Sequence, residues 1–500
     1  MSKIRVTYSG LISFAVGLAS VFTGIIFILI VTRQLTPEEF GTWNLIGGLI
    51  VYVVILEPTI SYWVTREIAR GKESGKTAVF FSGIFSIGAT LAYLVIAYFV
   101  AQNTDVKESV LFLGAILIPV MFLNRTLTAV NLAWKPHAVS YGILFLEIFK
   151  IPAALMLVYY LDMGIEGAII STTLAYIASI VILFVSSRIK LRGLIELIYL
   201  KKWIRLSWLP LYPGVASMIY VLDVTIFAII TGSVEGLAFW SAALAVAALA
   251  MHARSISNAI YPKFLEGGKK EHLQENIMLI LYFSIPLAIL SITFAKPALF
   301  ALNPIYITAV PVVVMLTLRG FMDNMKFLFV SSIQGMETVD VNENSSFKNY
   351  LKSKLFFMPT LQLIQYGLYV GALTAILVIF NSKPQSELVL YWSIISVVIS
   401  VPFVFCFYYI TRKHFKFSIN YLAVIKYVVI STGVFGFTFF LMEEYLVYNE
   451  SIFEFLPQLL LFLAIGCGGY LVITYFTDKK TKVLFKAVFH EIRKKNTNES

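Results

Sequence analysis

Long runs of apolar residues, each closed by a short polar connection, follow one another along the whole of this 500-residue chain. A helix that crosses a bilayer needs about 20 mostly apolar residues. By that rule the chain predicts about 14 spans, near 9–32, 41–63, 78–101, 108–131, 138–161, 165–187, 207–231, 236–262, 277–295, 305–332, 355–380, 387–410, 421–445 and 455–477. Tight joints such as Asp162-Met163-Gly164 and Thr231-Gly232-Ser233 separate close neighbours. No connection is long enough for an extramembrane catalytic domain. Two connections carry more than a turn. Residues 188–205 mix cations with Leu191, Leu194, Ile195 and Ile198 at helical spacing, which predicts an amphipathic helix in the headgroup region. Residues 334–354 are the most polar internal stretch and predict a loop ending in a short helix.

The pattern also repeats internally. Gly17, Ala19 and Ser20 match Gly214, Ala216 and Ser217, Glu38 matches Glu235, and Trp43 matches Trp240, all without a gap. The offset is roughly 197 residues, or six spans, so both copies enter from the same side of the membrane. Two parallel six-helix lobes related by an axis along the membrane normal are therefore expected. The expected division is 1–187 for the first lobe, 188–206 for an amphipathic linker and 207–410 for the second lobe. An additional helix pair at 411–477 and a basic tail at 478–500 lie outside the repeat. The fold class is an all-α integral membrane protein.

Composition agrees with the pattern. Hydrophobic residues make up 59% of the chain and charged residues 13%, with a mean hydropathy of +0.83. A soluble domain carries about 25% charged residues, so a soluble globule is excluded. The net charge of +11 raises the question of nucleic acid, but the cations are sorted by topology. Roughly 29 Lys and Arg fall in alternate connections and at both termini, against about four on the other side. Both termini are thus expected in the cytoplasm, and nucleic acid is not an expected partner. The first apolar run is too long for a signal peptide and lacks a small-x-small cleavage site, so it is read as a retained span. Cys406 and Cys467 lie inside apolar runs and predict neither a disulfide framework nor a thiolate metal site. No phosphate-binding glycine loop, zinc spacing or serine-nucleophile elbow is present, and His252 stands apart from other ligand types. No catalytic residue, cofactor or metal is expected.

The costly residues are the ionisable ones inside spans. An ion at the bilayer centre costs about 2.5–3.5 kcal/mol even on the lenient insertion scale. Arg319, Asp323 and Lys326 share one face of the tenth span. They form either a self-paired ladder that only buttresses helices or, since a net positive charge remains, a place that receives an anion. Glu147 and Lys150 sit three apart in the fifth span, beside Pro152, and fit a structural salt bridge as well as a substrate contact. Arg125 and Arg254 lie nearer the cytoplasmic edge, where snorkelling also satisfies them. Glu57 precedes Pro58, which should kink the second span. Asp223 in the seventh span is either a partner for one of these cations or an ion-coupling carboxylate.

Two further stretches are distinctive: VTRQLTPEEFGTW at 31–43 and ARSISNAIYPKFLEGGKKEHLQEN at 253–276. With these and the 6+6+2 span plan, the chain resembles the polysaccharide flippases of the multidrug/oligosaccharidyl-lipid/polysaccharide exporter superfamily. The resemblance implies two lobes working by alternating access around a central cavity in the cell membrane. It implies as cargo a polyprenyl- or dolichyl-diphosphate-linked oligosaccharide, with membrane lipids and glycan-assembly enzymes as further partners and a monomer as the favoured state. Arg319, Lys326, Arg125, Arg254 and Lys150 are then candidates for holding the anionic head group. Asp323, Asp223, Glu57 and Glu147 are candidates for charge balance or ion coupling. An ion-coupled drug or organic-cation antiporter and an integral-membrane glycan polymerase or ligase are the alternatives. The first expects dominant carboxylates and 12 spans, the second a large external loop.

Overall fold

A computed structural model describes residues 22–259, 264, 270–337, 347–478 and 481–482. Every regular element among them is helical. Helix α1 (Phe22–Gln34) is the described part of the first expected span. Helices α2 (Pro37–Val54) and α3 (Pro58–Ala69) follow, and then α4 (Gly75–Ala101), α5 (Glu108–Trp134), α6 (His137–Tyr160) and α7 (Gly164–Ser187). A short helix α8 (Leu197–Arg205) leads to α9 (Trp208–Thr231), α10 (Glu235–Ser257) and α11 (Lys270–Thr293). The chain continues through α12 (Ala295–Leu302), α13 (Pro304–Gln334) and α14 (Phe347–Leu351). It ends in α15 (Lys354–Phe380), α16 (Gln385–Phe415), α17 (Tyr421–Tyr445) and α18 (Ile452–Thr477). Twelve of these are long and apolar enough to cross a membrane, and α2 with α3 makes a thirteenth. The protein is a multi-pass membrane protein.

Local chemistry explains the ends. Thr36 accepts the Glu39 N–H and Glu39 accepts the Thr36 N–H, a reciprocal cap that starts α2 with Pro37 in its first turn. Gly232 closes α9 at φ +67°, a left-handed conformation that glycine takes without a Cβ penalty. The repeat offset carries the end of α1 at Gln34 onto the end of α9 at Thr231. The expected kink at Pro58 is present as a 60° bend between α2 and α3. Proline supplies no N–H to the preceding turn, so the span breaks there and leaves Glu57 at the break.

The linker departs from expectation. Only Leu197–Arg205 is helical, whereas residues 188–196 are turn and extended chain. Thr77 donates its hydroxyl to the Leu194 carbonyl at 3.3 Å and accepts the Glu196 N–H at 3.0 Å. Those side-chain bonds replace the helical ones that the apolar spacing suggested. In the polar loop, α14 is the expected short helix, and 338–346 lie outside the described residues. So do residues 9–21 of the first span and nearly all of the basic tail.

Packing divides the chain into two compact units, one of residues 22–242 with 359–395, the other of 243–358 with 396–500. The boundaries of these contact-based units fall inside α10, α15 and α16, whereas the expected six-helix lobes were drawn from the repeat. In the first unit α2 packs on α9. Tyr52 Oη shares a hydrogen bond with Thr225 Oγ1 at 2.6 Å, and Asn44 donates to the Leu237 carbonyl at 3.4 Å. In the second unit the additional pair docks through tyrosines. Tyr470 donates to the Tyr282 carbonyl at 3.0 Å, Tyr282 and Thr474 share a hydrogen bond of 3.1 Å, and Tyr427 meets Tyr282 edge-on at 5.2 Å.

Two glycines of α2 make a paired test of this packing. A Cβ on Gly41 would stand 1.9 Å from the Val234 carbonyl oxygen, while one on Gly47 meets nothing within 4 Å. Alanine gains about 1 kcal/mol over glycine inside a helix, and forced overpacking costs about 1–3 kcal/mol. Gly47→Ala should therefore raise the thermal unfolding midpoint in detergent and Gly41→Ala should lower it. Equal shifts of the same sign would contradict this close approach.

Candidate functional site

Three charged residues of the second unit stand together on α13. Asp323 Oδ1 is 2.7 Å from Lys326 Nζ, and Asp323 Oδ2 is 3.6 Å from Arg319 Nε. Both cations are 6% exposed, while the Asp323 side chain keeps 29% of its surface accessible. The spacing of four and three that put them on one face thus closes into a bonded ladder. Its surroundings come from other helices. Asn324 donates to the Ala250 carbonyl and to Ser284 Oγ, both at 2.8 Å, which fastens α13 to α10 and α11. Gly320 allows the close approach, since a Cβ there would meet Met251 at 2.5 Å. Arg254, one turn beyond Ala250 on α10 and exposed, comes within electrostatic range of Asp323. Among the described residues, Asp323 thus lies within reach of three cations. Such a cluster is charge-rich enough to accept a further anion.

The first unit holds a more balanced set. Glu57 is 2% exposed and sits in the α2–α3 break. Ser61 donates to its Oε2 at 3.2 Å, and the exposed Arg125 of α5 lies within electrostatic range. Its Oε1 has no hydrogen-bond partner among the described residues. Tyr176 on α7 feels both Arg125 and Glu147. Glu147 is within electrostatic range of Lys150, whose Nζ stands 4.0 Å over the Phe27 ring, a cation–π contact. The structure thus links Glu57, Arg125, Glu147 and Lys150 through neighbours that no sequence spacing relates.

Asp223 stands apart in an aromatic setting. It is 3% exposed, accepts the Tyr369 hydroxyl at 2.6 Å on Oδ2, and takes the Val224 N–H at 2.8 Å on Oδ1. Trp392 Nε1–H donates to the Tyr369 oxygen at 2.5 Å. The Trp392 ring stacks on Trp240 with centroids 3.8 Å apart and planes at 4°. Sequence reading missed Tyr369, Trp392 and Asn324. Trp240 was marked by the repeat, but its stacking partner lies on another helix and carries no local signal. Among the described residues no group of three or more His, Cys, Asp or Glu is placed to hold a metal ion.

No protein-family model and no curated protein matches the sequence. Solved structures do match the fold. A lipid II flippase, MurJ, in an inward closed conformation aligns with a TM-score of 0.64 at 14% identity, covering 94% of this chain and 99% of its own. An inward-facing multidrug resistance MATE family transporter of the MOP superfamily gives 0.60 at 12% identity, over 82% of this chain and 100% of its own. A MOP superfamily transporter from Pyrococcus furiosus, described as having a binding pocket of reverse polarity, gives 0.53 at 12% identity, over 83% and 96%. The chain has the two-lobed all-helical fold of these transporters.

Removing the Asp323 charge would take away the carboxylate that the buried Arg319 and Lys326 share. Loss of one partner of a buried ion pair costs about 3–5 kcal/mol, and the accessible Asp323 side chain places Asp323→Asn nearer about 2 kcal/mol. Adding Lys326→Met should recover about 1 kcal/mol of that loss. Thermal unfolding in detergent measures both. Strictly additive losses would show that the three charges act independently.

Proposed function

We propose that this protein is a transporter, not an enzyme, that flips a polyprenyl-diphosphate-linked oligosaccharide across the cytoplasmic membrane by alternating access, for cell-surface polysaccharide or glycoprotein assembly. The observation that carries this reading is the α13 cluster, where Arg319, Lys326 and Arg254 outnumber Asp323 within a membrane span. A diphosphate is the kind of ligand that suits such an excess. The guanidinium fork of arginine matches phosphate oxygens in pairs, and lysine adds a point charge. Asp323 holds Arg319 and Lys326 extended while cargo is absent, which lowers the cost of keeping two cations out of water. Arg125 and Lys150 are the corresponding cations of the first unit, and Glu57, Glu147 and Asp223 balance charge or couple to an ion.

The fold supports the transporter part of this reading. The match to the lipid II flippase covers more of this chain than the match to the multidrug transporter, the direction in which an additional helix pair would act. Drug or organic-cation antiport would be served by clustered carboxylates in the span, whereas the α13 cluster brings Arg319, Lys326 and Arg254 to Asp323.

The test is a flipping assay in proteoliposomes with a fluorescent polyprenyl-diphosphate glycan. A hydrogen bond to a charged group is worth about 1.5–3 kcal/mol, so Arg319→Ala and Lys326→Ala should each slow flipping by about tenfold or more. Both variants should still insert and fold. Normal rates in both would remove the cluster from cargo handling. Transport of an organic cation in the same vesicles, with no glycan-lipid movement, would favour the antiporter.

A further inference from the structure

The linker between α7 and α9 is held at one edge and open at the other. Trp203 is fully buried against Ile60, Val64, Ile68, Ala78, Phe81 and Val130. Its indole N–H donates to Glu67 Oε2 at 3.1 Å, and Lys202 Nζ meets Glu67 Oε1 at 3.1 Å. Glu67 is 2% exposed and belongs to α3, the half-span beyond the 60° bend. Thr77 pins the other end through Leu194 and Glu196, and a Cβ on Gly75 would press the Lys190 carbonyl at 2.4 Å. The linker is therefore fastened to the end of α3 and the start of α4 by contacts that sequence spacing did not reveal.

The opposite face is left exposed among the described residues. Leu194 is 76% exposed, Ile198 69% and Leu197 60%. Arg188, Arg192, Lys201 and Arg205 are exposed around this apolar strip, and Arg70, Lys72 and Lys76 add exposed cations from the adjoining α3–α4 turn. Glu73 and Glu196 are the exposed acids of the same segments. Apolar side chains ringed by cations, on a segment joining two membrane spans, match one environment in both respects. Acyl chains cover the leucines and isoleucine, and anionic headgroups meet the cations.

We propose that segment 188–205 is a binding site for anionic phospholipid and that its docking through Trp203 and Glu67 transmits lipid occupancy to α3, the far half of the broken second span. The site is independent of what the transporter carries. Headgroup contacts draw the strip into the interface, and the Glu67 bonds move α3 with it, because a buried carboxylate does not readily give up two charge-assisted or N–H donors. The bend at Pro58 is the joint that permits α3 to shift without moving α2.

Amide exchange of the full-length protein in phosphatidylcholine nanodiscs, with rising fractions of phosphatidylglycerol, tests this. In the wild type, phosphatidylglycerol should slow exchange in both 197–205 and 58–69. A variant with Arg192→Gln, Lys201→Gln and Arg205→Gln changes only exposed side chains and should fold normally. Each surface cation contributes about fivefold to attraction by an anionic leaflet, so this variant should need at least about tenfold more phosphatidylglycerol for the same protection. Trp203→Phe combined with Lys202→Gln, which removes the indole and ammonium donors to Glu67, should keep lipid-dependent protection of 197–205 while uncoupling that of 58–69. No response to phosphatidylglycerol in the wild type, or an undiminished response in the triple variant, overturns the lipid site. Lipid-dependent protection of 58–69 that survives the double variant overturns the transmission.

Discussion

A charge inside a bilayer must be answered locally, and much of the interior of this protein follows from that constraint. Water cannot reach a mid-span guanidinium cheaply, so the counter-charge has to come from a neighbouring side chain. On α13 the answer lies within the same helix, where Asp323 is shared between Arg319 and Lys326. In the first unit it comes from different helices, with Glu57 facing Arg125 and Glu147 facing Lys150. In the proposed reading it is the α13 cluster, with Asp323 near three cations, that meets the anionic cargo.

Precise placement of these groups relies on neutral polar contacts. Asn324 is 1% exposed and satisfied by Ala250 and Ser284, so it fixes the rotation of α13 about its own axis. A rotation by one residue would carry Asp323 about 100° round the helix, away from Arg254. The Asp223–Tyr369–Trp392 chain plays the same part between α9, α15 and α16. Buried hydrogen bonds of this kind cost little when complete and much when broken, so they select one packing among several of similar apolar area.

The broken second span and the linker are joined by a third such arrangement. Pro58 interrupts the helix, and Glu67 at its far end accepts from both Lys202 and Trp203. A half-span hinged at one end and strapped at the other can respond to the surface layer.

Much of this was legible in the residues themselves, for identifiable reasons. Helix number, order and ends follow from the length of apolar runs and from capping chemistry. The Arg319–Asp323–Lys326 ladder follows from a period of 3.6 residues, and the Pro58 bend from a missing N–H. Each depends only on atoms within a turn or two of one another. Tertiary structure alone decided the rest. Arg254 joins Asp323, Glu57 meets Arg125, Tyr369 caps Asp223 and Glu67 captures Trp203 because helices distant in sequence pack at particular rotations. The linker's first half unwinds because Thr77, more than a hundred residues away, takes its backbone groups. Those rotations are set by steric fits such as Gly41 on Val234 and Gly320 on Met251. A one-dimensional pattern carries no record of them, since an apolar face specifies that a helix is buried and leaves open against what.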